Sequence, residues 1–410
     1  MDGKLSVCLL NDSFPPVLDG VANTVLNYAM LIQKNHGAAV VGTPSYPGAQ
    51  DDFPFPVVRY PSIDMTKIFG YRAGLPFAPA TIQKLASYRP DIIHAHCPMI
   101  STLLARSLRT AAKAPVVLTY HTKFDVDIAQ VFDSELLQSA AIRMMLGNVN
   151  ACDEVWTVCR GSGENLRKIG YKGEYVVMTN GVDFPRGKAP KEAVGALRKK
   201  LGLSESDRVF LFVGRMRWYK GIRIILDGLT RAARDGYDFK MVFVGEGVDF
   251  EEIKSYAASL PIASRCIFAG PERDRETLRA YYSFAELFLL PSTFDNRPIV
   301  VLEAAACGLP SVLVRGSSAA EGMTDGQNAL LIDENADSLA RAVTTALKDP
   351  ALAPRLGQNA MREVYVSWED AVAAAVRRYD IVIENYRRKQ EELRLHRRSF
   401  HMRLRKSKHY

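Results

Sequence analysis

The feature that most constrains this chain is a rhythm. Short, almost continuous apolar runs alternate with stretches of helical spacing, and the series runs twice. Leu5–Leu10 is followed by a helical pattern over Val21–Lys34 (Val21, Val25, Tyr28, Ala29, Ile32) and then by the run Ala38–Gly42. Asp91–Ala95, Val116–Tyr120 and Glu154–Val158 continue the series, with the helical stretches Ile100–Ala112 and Arg160–Ile169 among the segments between them. Strands that are apolar on both faces, each followed by a helix, predict a parallel α/β sheet covered on both sides.

The rhythm breaks at Asn180-Gly-Val-Asp-Phe-Pro-Arg-Gly187, a segment of turn formers that reads as a linker. A second series follows. Val209–Val213, Lys240–Val244, Cys266–Ala269, Leu287–Leu290 and Ser311–Val314 read as strands; Gly221–Ala233, Phe250–Leu260, Glu276–Phe284 and Val300–Cys307 read as helices. The chain of 410 residues has room for two or three domains. The expectation is two Rossmann-like doubly wound domains, 1–185 and 190–365, facing across a cleft, with a C-terminal helix and basic tail over 366–410. Ligands of such sheets sit beyond the carboxyl ends of the strands, so function should lie in the residues just after each strand.

Composition removes several classes. With 48% hydrophobic and 24% charged residues the chain is neither disordered nor fibrous. No apolar run reaches the roughly 18 residues of a spanning helix, and the apolar patch in MDGKLSVCLLNDSF is too short for a signal peptide. The six cysteines form no CxxC pair and mostly sit in apolar runs, which suits reduced thiols in the cytoplasm. The net charge is +8, and Arg387–Tyr410, with ten Lys/Arg and two acids, carries all of it. Such a tail suits an anionic surface, or is a solvated terminus.

The strand ends hold the candidate chemistry. After the first strand, Gly20 opens a helix whose N-terminal amides can face a phosphate, or are simply capped. Neither GxGxxG nor a Walker lysine is present, so dinucleotide and P-loop readings fail. After Val209–Val213 comes Gly214-Arg-Met-Arg-Trp-Tyr-Lys-Gly221. Arg215, Lys220 and a helix start suit a diphosphate, although two exposed cations would look the same. After Leu287–Leu290 comes Asp295, with Glu303 eight residues on. Two helical turns can put both carboxylates on one face, where they accept bonds from sugar or ribose hydroxyls. The plain alternative is Asp295 as a helix cap and Glu303 as a buried ion-pair partner. His121 stands at the end of Val116–Tyr120, able to bind substrate or to be a satisfied structural residue. His94 and His96 alternate on one strand end, but no third ligand for a metal is apparent nearby.

Together, Phe14-Pro-Pro-Val-Leu-Asp-Gly-Val21, Thr119-Tyr-His-Thr122, Asn180-Gly-Val-Asp183, Gly214-Arg with Lys220-Gly, Val244-Gly-Glu-Gly247, Phe268-Ala-Gly270 and Pro291–Pro310 resemble the retaining GT-B glycosyltransferases of family 4. The resemblance spans nearly the whole chain. It implies a nucleotide-sugar bound by the second domain as a co-substrate, with no further cofactor, and an acceptor bound by the first. It implies that Arg215 and Lys220 hold the diphosphate, Glu303 the ribose hydroxyls, and Gly20 a phosphate or the sugar. It implies a base pocket around Cys266–Arg273. The first acid of the family's E-x7-E motif falls on Asp295, one methylene shorter, against the transferred sugar. Transfer should retain configuration by front-face attack, the diphosphate taking the acceptor's proton, while His121 orients the sugar or stabilises positive charge.

No Asp-x-Asp motif stands at the strand ends, so no metal is expected. A UDP-hexose is the favoured donor, with GDP-mannose as the other. The N-terminal segment also resembles bacterial diacylglycerol glycosyltransferases. The loop Asp64–Phe77, with Lys67 and Arg72 among aromatics, and Leu393, Leu395, Phe400, Met402 and Leu404 in the tail, suit a bilayer interface. The expected partners are thus an anionic membrane and a lipid acceptor, with the enzyme peripheral on the cytoplasmic face and no nucleic acid bound. Four readings compete: transfer to a soluble or polymeric glycan, a nucleotide-sugar epimerase of the same architecture, a non-catalytic binder, and nucleic-acid binding through the tail.

Overall fold

The computed structural model describes residues 4–17, 19–66 and 72–406, with the backbone alone at 126, 127, 130 and 397–406. Lys67 and the side chains of Phe400, Met402 and Leu404 therefore lie outside the described residues. The chain forms two compact units: 1–158 with 162–179 and 368–410, and 159–161 with 180–367. The turn-rich segment from Asn180 is part of the second unit, and the terminal helix is part of the first.

The first unit holds strands β1 (Leu5–Leu10), β2 (Gly37–Pro44), β3 (Val57–Tyr60), a small antiparallel pair β4 (Ser62–Ile63) and β5 (Ala73–Gly74), then β6 (Ile92–Ala95), β7 (Val116–Tyr120), β8 (Glu154–Thr157) and β9 (Val176–Val177). Its parallel sheet runs β3-β2-β1-β6-β7-β8-β9. The second unit holds β10 (Val209–Val213), β11 (Lys240–Val244), β12 (Cys266–Gly270), β13 (Leu287–Leu290), β14 (Ser311–Val314) and β15 (Ala329–Ile332), in the parallel order β12-β11-β10-β13-β14-β15. Both sheets run outward from their first strand, then return to its other side. The order reverses between β1 and β6, and again between β10 and β13. These are the points where open α/β sheets leave a crevice for ligands.

The strands form because their residues bury on both faces. Phe210, Leu211 and Phe212 on β10, and Leu287, Phe288 and Leu289 on β13, are completely buried. Each such side chain contributes about 1.5–3 kcal/mol by leaving water. The register pairs Leu211 with Phe288 and Leu10 with Ala95, which sets neighbouring loops side by side at the carboxyl ends.

The helix Trp368–Lys406 docks on the first unit through Trp368, Val372, Ala375, Tyr379 and Val382, all buried. Their 4-3-4-3 spacing draws one apolar stripe along the helix. Arg378 grips Glu154 with two hydrogen bonds, at 2.8 and 2.6 Å, and Tyr379 stacks on Trp156 with ring centroids 5.3 Å apart. From Arg387 to His396 the side chains are exposed.

Candidate functional site

In the second unit the site is built by two close approaches of backbone. Gly245 has φ +137°, and a Cβ there would lie 2.0 Å from the Gly214 carbonyl oxygen, so the loop after β11 rests directly on the loop after β10. Gly221 has φ +78°, and its Cβ would lie 2.1 Å from the Pro291 carbonyl oxygen. Only glycine allows both the left-handed backbone and that contact. It delivers Lys220 to the loop after β13, where its ammonium donates to Asp295 Oδ1. Their side chains are 11% and 13% exposed, so the pair is largely shielded from water. Arg215, on the same loop as Lys220, is exposed and has no ion-pair partner among the described residues. Asp295 does not cap the following helix; Pro298 holds that position.

The loop after β13 is unusual in what it leaves unpaired. Asp295 Oδ2, Asn296 Oδ1 and Arg297 Nε are all buried without a hydrogen-bond partner, as is Trp218 Nε1 on the facing loop. Buried polar atoms are nearly always bonded, so a run of three consecutive exceptions marks a place where something else supplies the partners. Arg297 also has φ +39°, a strained conformation for a side chain of its size.

Glu303 lies inside the helix Ile299–Ala306 and is 3% exposed. Arg275 donates to its Oε1 at 2.7 Å, and the Tyr282 hydroxyl donates to its Oε2 at 2.8 Å. Burial raises the carboxyl's pKa, and the Arg275 charge and both hydrogen bonds oppose that rise. Arg275 in turn binds Asp183, at the end of Asn180-Gly-Val-Asp183. The segment that read as a linker is thus an anchor for the arginine that holds Glu303. Each oxygen of Glu303 retains a second lone pair that a diol can use.

In the first unit, Asp19 caps the helix Gly20–Leu31, accepting from Val21 N at 2.8 Å and Ala22 N at 2.7 Å. Those two amides already have a partner. Beyond Gly20 the space is open, and a Cβ there would meet no atom within 4 Å.

His121 follows β7 and is 7% exposed. Its Nε2 lies 3.0 Å from Nδ1 of His96, whose own Nε2 is buried without a partner. His94 lies tilted against His96 with centroids 4.0 Å apart, and is held by Tyr379 OH at 2.6 Å and Thr119 Oγ1 at 2.7 Å. Burial pushes His94 and His96 well below the ordinary imidazole range and His121 down to about 3. All three rings are neutral near pH 7, so His121 acts as a hydrogen-bonding group and not as a standing positive charge. Among the described residues no cluster of three or more His, Cys, Asp or Glu side chains is arranged to hold a metal ion.

Two family models cover the two units. Residues 18–186 match Glycosyltransferase Family 4, and residues 194–363 match Glycosyl transferases group 1. The chain belongs to the GT-B glycosyltransferases of family 4. Among its relatives is an alpha-monoglucosyldiacylglycerol synthase of Streptococcus pneumoniae, 24% identical over 316 residues, which are 75% of this chain and 70% of that one. Another is a GDP-mannose-dependent alpha-mannosyltransferase of Corynebacterium glutamicum, 28% identical over 337 residues, covering 80% and 77%. Among solved structures, Anabaena HepE in complex with UDP-glucose aligns with a TM-score of 0.68 at 19% identity, over 95% of this chain and all of that one.

In this glycosyltransferase the sequence-derived residues fall into three groups. Lys220 and Asp295 are joined, with Arg215 on the same loop as Lys220. Glu303 is buried beneath Arg275. Gly20 and His121 belong to the first unit. Sequence reasoning missed Arg275, Tyr282, Asn296, Arg297 and His96 as a partner of His121. Arg275 had a signal: it follows a strand end, where function was expected to gather.

Proposed function

We propose that this glycosyltransferase moves a hexose from a nucleoside-diphosphate donor, UDP-linked in the first instance and GDP-mannose in the second, to a membrane lipid such as diacylglycerol. The observation that carries the donor half is the meeting of Lys220 and Asp295 beside a run of unpaired buried polar atoms at the point where strand order reverses. Glycosyl transfer passes through an oxocarbenium-like state while negative charge grows on the leaving diphosphate. Arg215, unpaired and exposed, and Lys220, fixed in place, stabilise that charge, and no divalent ion is required. Asp295, with one oxygen held by Lys220 and one free, accepts from the transferred sugar's hydroxyls. Glu303 takes the ribose.

His121 donates to a substrate oxygen. Of the two ways to share a proton with His96, one leaves a buried N–H without an acceptor and the other leaves only a lone pair. The second costs less. It makes His96 Nδ1–H the donor to His121 Nε2 and leaves His121 Nδ1–H free for the substrate.

The lipid half rests on exposed apolar residues. Ile63, Leu75 and Phe77, beside the β4–β5 pair, are 55%, 45% and 65% exposed. Leu393 and Leu395 stand out among the cations of the terminal helix. Arg72 is not a free cation for headgroups, since it bonds Ser62 at 2.9 Å and pairs with Asp64 at 3.3 Å. Arg387 lies 3.6 Å from Asp91, whereas Arg388, Lys389 and Arg394 form no ion pair among the described residues. No described helix is long and apolar enough to cross a membrane, so contact is by a face and not by a span.

The test is nucleoside-diphosphate release from UDP-glucose, UDP-galactose, UDP-N-acetylglucosamine and GDP-mannose, with and without anionic vesicles containing diacylglycerol. Release from one donor that rises with the lipid supports both halves. Release indifferent to lipid moves the acceptor into water, and no release with any donor sinks the reading.

A further inference from the structure

Arg297 is a charged side chain with no hydrogen bond and no ion pair among the described residues. It stands in the loop after β13, between Asn296 and Pro298, and its Nε is buried without a hydrogen-bond partner. It forms no ion pair among the described residues. Glu321 is the acid whose charge acts on it, and that carboxylate already accepts from the Arg160 amide at 2.7 Å and the Gly161 amide at 3.1 Å. A guanidinium is almost never buried unless paired, because desolvation then goes uncompensated. Burial indeed lowers its pKa from the ordinary value. Its backbone adds a second cost, with φ +39° in the residue before a proline, where helical and left-handed conformations are crowded. Strain and an unpaired charge at one residue, next in sequence to Asn296 and Asp295 with their unpartnered oxygens, gather where a ligand is expected and not in the structural core.

We propose that Arg297 is a third cation of the donor site and takes an anionic oxygen group of the donor. Two parts of a nucleotide-sugar carry that chemistry: the diphosphate, and a carboxylate on the transferred sugar if that sugar is a uronate. The guanidinium fork fits either, with two parallel N–H···O bonds. The proposal rests on the nucleotide-sugar reading and sharpens it, because it says which donors the loop accepts. If Arg297 binds the diphosphate, donor choice is set elsewhere. If it binds a carboxylate, neutral hexoses are poor donors and hexuronates good ones.

The experiment is a binding titration of the full chain with UDP, GDP, UDP-glucose, UDP-glucuronate, GDP-mannose and GDP-mannuronate. It compares wild type with Arg297→Gln and Arg297→Lys, with Arg215→Ala as the reference for loss of a diphosphate contact. A diphosphate role predicts at least tenfold weaker binding of the free diphosphate in Arg297→Gln, with partial recovery in Arg297→Lys. A carboxylate role predicts unchanged binding of the free diphosphate, and a preference of wild type for the uronate over the hexose that Arg297→Gln abolishes. Equal affinity of wild type and Arg297→Gln for every probe overturns the inference while Arg215→Ala still weakens binding. If no probe binds wild type, the donor reading falls and the inference falls with it. The melting temperature is a separate check. A structural arginine would lower it when replaced, whereas removal of an unpaired, half-buried charge leaves it unchanged or raises it.

Discussion

The two units use the same place in the same topology and fill it with opposite electrostatics. At the reversal point of the second sheet, the loops after β10 and β13 carry Arg215, Lys220 and Arg297, with Asp295 paired to Lys220. In the first sheet, the ends of β6 and β7 carry His96 and His121, with His94 behind them, all held neutral by burial. One end is built to meet charge; the other offers neutral donors and acceptors. The contrast fits the proposed reaction, in which charge collects on the leaving diphosphate while the sugar and acceptor present hydroxyls. The supports differ too. Glycine contacts between strand ends position the cations. The histidines are fixed by Tyr379, which reaches His94 from 285 residues away in sequence.

The largest effects should come from the charged end. Lys220→Met is expected to lower the transfer rate about 100-fold, the usual cost of one preorganised donor. It should also lower the melting temperature, because Asp295 is left buried and unpaired. Arg215→Ala should lower the rate by a similar factor with an unchanged melting temperature, because Arg215 is exposed and has no ion-pair partner among the described residues. If both variants melt alike, Lys220 and Asp295 are not a structural pair, and the contrast between them dissolves.

Glu303→Ala should cost at least tenfold in transfer. It should also cost about 1–3 kcal/mol of stability by orphaning the Tyr282 hydroxyl. Normal rates with reduced stability would reassign Glu303 to structure alone.

The neutral end should respond more gently. His96→Asn keeps an N–H where His96 Nδ1 stood, whereas His96→Leu has the same size and none. The expectation is near-normal transfer in the first and roughly a tenfold loss of kcat in the second, about one hydrogen bond's worth. Equal behaviour of the two would show that His96 fills space and does not orient His121.

Acidity separates the ends again. His121 titrates at about 3 when folded but near 6.5 when unfolded. Below pH 6.5 the unfolded chain therefore binds more protons, and stability falls as pH drops from 6.5 towards 3. His94 and His96 act in the same sense; Asp12 and Glu303, both raised by burial, act in the opposite one. Melting curves from pH 7.5 to 5 should show the loss, and it should shrink in His96→Asn. A midpoint that does not fall on acidification would contradict neutral, buried imidazoles.

The smallest effect on chemistry should come from the tail. Removal of Arg387–Tyr410 should weaken binding to anionic vesicles, each cation being worth about 1 kcal/mol at such a surface. The melting temperature should stay, because among the described residues the buried stripe of the helix ends at Ile383. Undiminished vesicle binding would remove the tail from the membrane contact.

Much of this was legible in the sequence, for reasons particular residues make plain. β1, β7, β10, β11, β13 and β14 lie where their apolar runs stand, because a strand buried on both faces needs an unbroken run. Val57–Tyr60 was not visible: Arg59 interrupts it and Phe53-Pro-Phe-Pro precedes it, so it reads as loop. Val176–Val177 is too short to show a pattern. Asn180–Asp183 has the composition of a linker, and only the Asp183–Arg275 contact reveals its task. The partners of Glu303, the unpaired state of Arg297 and the bond between His96 and His121 depend on distances across the fold, and no local pattern encodes them.

The central claim is that the loops after β10 and β13 hold the donor's diphosphate. Calorimetric titration of UDP and GDP into wild type and Arg215→Ala tests it most directly. At least one diphosphate should bind wild type, and Arg215→Ala should bind it at least tenfold more weakly at an unchanged melting temperature. Equal affinity in the two proteins, or no binding of either diphosphate to wild type, would contradict it.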